Sequence, residues 1–197
     1  RAAALRTLLM STRVNIADEV LAGLADPESS VRTSAAGSLA MWLAAAADDL
    51  RYAWQSQAVY YSSNTAYPSF GGAEGFEASA KKAAKAIPKD VRDKFIAALR
   101  KMTSAEDVDE RFAAQGTLIL LGDAEVAFAG LREAASNEPK LAANVVGVMG
   151  GLDWPKRREL FDILRTQPLK DLEWAQLVAV VFAKAPKEAR PLLWEVV

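Results

Sequence analysis

Val20-Leu21-Ala22-Gly23-Leu24, Phe95-Ile96-Ala97-Ala98-Leu99, Ala127-Phe128-Ala129-Gly130-Leu131 and Leu160-Phe161-Asp162-Ile163-Leu164 are four copies of one short pattern: two apolar residues, two spacers and a leucine. The closing leucines lie 75, 32 and 33 residues apart, and a degenerate fifth copy, Leu193-Trp194-x-x-Val197, ends 33 residues further on. A period of this length marks supersecondary units that cannot bury their apolar faces alone and so stack on one another. Apolar residues one and four places apart share one side of a helix, so each copy predicts a docking face.

Helical periodicity also fills the spaces between copies, and strand-type alternation is nearly absent. The longest β-branched cluster, Leu177 to Phe182, falls inside a helix-length stretch. The patterning predicts helices over about 2–10, 15–25, 30–50, 75–86, 89–102, 108–121, 124–135, 139–150, 156–166, 171–184 and 187–197. The breaks have physical causes. Asp26-Pro27 stops one helix and leaves Ser29 or Ser30 to cap the next, while Pro88, Pro139, Pro155 and Pro186 suit first-turn positions where a missing N–H costs nothing. Gly122-Asp123 joins one helix end to a new cap.

Each pattern copy is followed by a second helix. Val31-Arg32-Thr33-Ser34-Ala35-Ala36-Gly37-Ser38-Leu39 and Glu110-Arg111-Phe112-Ala113-Ala114-Gln115-Gly116-Thr117-Leu118 share arginine, alanine, glycine and leucine at equivalent places. With Leu24-Ala25-Asp26-Pro27 ahead of Val31-Arg32, the chain resembles the HEAT-repeat family, in particular its short, PBS-lyase-type variants. The resemblance covers residues 15–50 and 88–197 and implies an all-α fold: a right-handed α-solenoid of stacked antiparallel helix pairs. It also implies that an acidic turn residue and the early arginine link adjacent repeats. Asp26 and Arg32 match those positions, and Asp107 or Asp109 with Arg111 match them loosely. The third and fourth copies lack the arginine, and their turns, Asn137-Glu138-Pro139 and Gln167-Pro168, depart from the family pattern.

Composition narrows the chemistry. The 197 residues are 51% hydrophobic and 25% charged with a net charge of −1, the profile of a folded chain with no global field toward nucleic acid or an anionic membrane. Without cysteine or histidine there are no disulfides, no thiolate or imidazole metal ligands and no histidine-dependent triads. No apolar run approaches the roughly 20 residues of a membrane-spanning helix, and no secretory signal stands at the start. A cytoplasmic location is expected. The sequence opens inside a helix-like stretch and stops within the fifth copy, as expected for part of a longer array spanning 1–197 as one domain.

The 75-residue gap holds an insertion. Segment 52–73 is uncharged and carries Tyr52, Trp54, Tyr60, Tyr61, Tyr67 and Phe70, with turn chemistry in Ser62 to Gly72. Uncharged aromatic loops either fold back as a dry cap or present their rings to a partner, since tyrosine combines large contact area with a polar tip. These six residues are the candidate partner-binding set.

Other constellations are weaker. Glu106-Asp107-Val108-Asp109-Glu110 lacks the ligand spacing of a calcium loop and suits a helix start, where the dipole favours acids. Gly71-Gly72-Ala73-Glu74-Gly75 has no lysine-serine/threonine partner for a phosphate loop. Lys81, Lys82, Lys85, Lys89, Arg92 and Lys94 form a basic stretch beside the insertion, and Lys156-Arg157-Arg158 form another. Both read as solvated helix faces unless one surface gathers them for phosphate contact. Trp42 and Trp174 read as core, and Trp154 has no assignment. Residues 74–101 hold eight basic residues against four acids, whereas 102–153 hold three against nine.

No catalytic residue, cofactor site or metal site is assigned. The expected function is a non-enzymatic scaffold that binds a protein partner through its helical surface and the tyrosine-rich insertion. Two alternatives stand beside it: a helical-repeat DNA glycosylase for alkylated bases, which the charge of −1 disfavours, and a regulatory array joined to a catalytic domain elsewhere.

Overall fold

The computed structural model describes residues 17–45, 76–182, 185–189 and 191–192. The expected 2–10 helix, the aromatic segment 52–73 with its six candidate residues, and the fifth pattern copy lie outside them. Among the described residues there are nine α-helices and no strand. They are α1 (Ala17–Leu24), α2 (Ser29–Ala45), α3 (Phe76–Ala86), α4 (Lys89–Met102), α5 (Val108–Leu121), α6 (Ala124–Asn137), α7 (Ala142–Met149), α8 (Trp154–Leu164) and α9 (Asp171–Phe182). None is long and apolar enough to cross a membrane.

Local chemistry sets the boundaries. Asp107 caps α5 by accepting from the Glu110 amide at 2.9 Å, and Asp153 caps α8 by accepting from the Lys156 amide at 3.2 Å. The second cap starts α8 two residues ahead of the expected position. Helix α5 ends at Gly122, whose φ of +93° is the left-handed conformation of a helix C-cap. The Gly122 amide donates to the Ile119 carbonyl, and that of Asp123 to the Leu118 carbonyl. Asp123, expected to cap α6, makes no capping bond and binds Arg100 instead. Nor do Ser29 and Ser30 cap α2. The helix already includes Ser29; the Glu28 carbonyl accepts from Val31 and Arg32, while Asp26 closes the turn by accepting from the Glu28 amide. The stretch expected to start a helix at residue 139 opens with a 3-10 turn, Pro139–Leu141, before α7.

The four pattern copies fall on α1, α4, α6 and α8. Their first and last positions are buried in every copy: Val20 and Leu24, Phe95 and Leu99, Ala127 and Leu131, Leu160 and Leu164. The second position sits at the margin, half-buried as Leu21, Ile96 and Phe128 and fully buried as Phe161. Each pattern helix packs on the helix that follows it: α1 on α2, α4 on α5, α6 on α7, α8 on α9. Helix α1 also touches α4, and α6 touches α8; on the other side α2 touches α5, α5 touches α7 and α7 touches α9. Helix α3, preceding the second copy, lies against α2 and α5. Ala35, Ala36, Ala113 and Ala114 are fully buried, and these small side chains let the backbones of α2 and α5 approach. The Thr117 hydroxyl lies 3.0 Å from the Ala36 carbonyl and 2.8 Å from that of Ala113, joining the two helices.

Two arginines reach forward along the chain. Arg32 grips buried Glu110 with Nε at 2.6 Å and Nη2 at 2.7 Å, while Nη1 donates to the Asp26 and Pro27 carbonyls at 2.8 Å. Arg111, at the matching place on α5, forks onto Glu138 at 3.0 and 3.2 Å. The carboxylates these arginines fork onto are Glu110 for Arg32, where Asp26 is the expected acid, and Glu138 for Arg111, where Asp107 or Asp109 is expected.

Candidate functional site

Tyr52, Trp54, Tyr60, Tyr61, Tyr67 and Phe70, the residues expected to carry the site, lie outside the described residues. The structure brings together part of the basic stretch instead. Helix α3 runs into Pro88, which turns the chain directly into α4, so Lys81 and Lys85 of α3 come to face Arg92 of α4 across a half-open cleft of about 540 Å³. The end of α5 closes the third side. Leu120, Leu121 and Ala84 with Ile96 and Ala97 form an apolar floor, and Arg100 pairs with Asp123 at the margin.

The charges there are not equivalent. Arg100 holds the Asp123 carboxylate through Nε at 2.7 Å and Nη2 at 3.1 Å, and this hydrogen bond raises the guanidinium pKa above its ordinary value. Lys81 donates to the Gly151 carbonyl at 3.1 Å. Asp93, on the rim, is engaged by Lys89 at 2.5 Å. Lys85 and Arg92 are left without an acidic partner among the described residues. Lys85 stands in the last turn of α3, where a cation offsets the negative end of the helix dipole. Arg92 has no such support. It closes the first turn of α4, the positive end of that helix, and is half-buried. The helix dipole disfavours a cation in that place.

The second basic run does not join this cleft. Arg157 is buried and donates to the Val180 carbonyl at 3.0 Å; Lys156 pairs with Glu125 and Asp153, each at 2.9 Å; Arg158 pairs with Asp162 at 2.8 Å. Two acids of the acidic run have structural roles, Asp107 as a cap and Glu110 in the Arg32 pair. No group of three metal-ligating side chains occurs among the described residues. Trp154, unassigned from sequence, packs 5.8 Å from Phe182. Phe161 stands 5.7 Å from Phe182 and 6.0 Å from Trp174, so these rings form the core of the α8–α9 pair.

Arg100, Asp123, Leu120 and Leu121 escaped sequence reasoning as site residues. The turn signal at Gly122-Asp123 is present in the sequence, but its approach to α4 is a tertiary event. Comparison with protein-family models, curated proteins and solved structures returns no match for this chain.

Proposed function

We propose that this chain is a HEAT-like array of helix pairs acting as a non-enzymatic scaffold for a protein partner. Support for the array comes from four pattern helices that each pack on their successor, and from Arg32 and Arg111 reaching forward at equivalent places. A right-handed superhelical stack of these pairs is part of the same reading. The observation that carries the function is the α3–α4–α5 cleft, whose aliphatic floor lies beneath Lys85 and Arg92, neither of which has an acidic partner among the described residues. Apolar area ringed by polar groups is the composition of a protein contact surface, where affinity comes from a few anchors. The rings of Tyr52, Trp54, Tyr60, Tyr61, Tyr67 and Phe70, just before α3 in sequence, are proposed to add further anchors.

Affinity capture from an extract of the source cells tests this reading, with the chain set beside its Tyr60→Ala/Tyr61→Ala variant at low and high salt. A protein retained at high salt by the chain and lost by the variant is the expected result. Recovery of nucleic acid alone, and only at low salt, would overturn it.

A further inference from the structure

We infer that the α3–α4–α5 cleft binds an acidic peptide segment of the partner, with carboxylates meeting Lys85 and Arg92 and an apolar side chain seated against Ile96 and Ala97. The inference rests on the scaffold reading and adds the chemistry of what is bound. Three observations carry it. The two cations lack acidic partners among the described residues, while the other charges of the cleft are engaged within the molecule. Arg92 occupies the end of α4 where the helix dipole opposes a cation, so a bound carboxylate would relieve an unfavourable placement. The floor between the cations is aliphatic, and no aromatic ring is among its described lining residues. Nucleic acid fits less well. Stacking platforms for bases are missing from the described lining residues.

The probe is a random heptapeptide library displayed on phage, selected on the intact chain, with enriched peptides resynthesised for fluorescence polarisation. Three proteins are compared: the chain, Lys85→Glu/Arg92→Glu, and Lys82→Glu/Lys94→Glu. The last makes the same change in net charge at two exposed lysines that do not line the cleft. Far-ultraviolet circular dichroism establishes that all three fold. Enriched peptides should carry a net negative charge around one large apolar residue. Their Kd should rise by about tenfold or more in the cleft variant and by less than about twofold in the control.

Equal loss in both variants would reduce the effect to net charge and overturn the site. Acidic peptides that bind the cleft variant unchanged would also overturn it, while leaving the scaffold reading in place. No enrichment at all would overturn both. A single-stranded oligonucleotide that binds the chain more tightly than any selected peptide, and is lost in the cleft variant, would reassign the cleft to nucleic acid.

Discussion

At the scale of single residues, two positions concentrate the stability argument. Glu110 is 2% exposed, and its charge is tolerable only because Arg32 supplies a fork. Truncating one partner of such a pair strands the other charge in a poorly solvated place. Arg32→Ala should therefore cost about 3 kcal/mol in denaturant unfolding, and Arg32→Ala/Glu110→Gln should recover much of that loss. Gly122 adopts the left-handed conformation with open space where a side chain would go, so strain rather than a clash sets the cost of substitution. Gly122→Ala should destabilise the chain by about 1–2 kcal/mol. The glycine is legible in the sequence as a helix stop. The Arg32–Glu110 pair is not, because 78 residues separate its members and Glu110 reads locally as one more acid at a helix start. Arg157 carries a trace of its burial in the sequence. It lies three residues before Leu160 and four before Phe161, on the apolar side of its helix, and only its neighbours Lys156 and Arg158 suggest a surface run.

At the scale of elements, helices α3 to α5 follow the sequence closely because proline, glycine and aspartate mark their ends, whereas α6 starts as expected but runs two residues further, to Asn137. Helix α8 starts two residues ahead of the position the periodicity predicts because its cap is Asp153. This cap carries a pH signature. The Lys156 ammonium, hydrogen-bonded to the Asp153 carboxylate, holds that carboxyl below its ordinary value of 3.8, and Glu125 and Asp153 together raise Lys156 above its own. A depressed carboxyl contributes stability that is complete above its unfolded pKa and lost as pH falls through the folded value. The melting temperatures of the chain and of Asp153→Asn should therefore differ at neutral pH and converge below about pH 4, as followed by thermal melts across that range. Helix α4 gives a second expectation. Because Arg92 opposes the dipole, Arg92→Glu should raise folding stability by about 0.5 kcal/mol while weakening peptide binding. A residue kept only for structure would not show those opposite signs.

At the scale of the whole molecule, periodicity announces the pairing of helices, because burying one stripe per unit is a repeating requirement that sequence spacing records directly. The cleft has no such record. It forms where α3, inside the surplus between the first and second copies, turns at Pro88 and meets the end of α5, so its walls come from segments about 40 residues apart. Charge segregation, with cations gathered in 74–101, was the visible trace, but only the fold separates cations already engaged from Lys85 and Arg92. Hydrogen–deuterium exchange of the intact chain with and without a selected acidic heptapeptide tests the central claim most directly. Protection gained across Lys81–Arg100 and Leu120–Asp123, with α8 and α9 unchanged, is the predicted result. Protection confined to α8 and α9, or none over the cleft at saturating peptide, would contradict it.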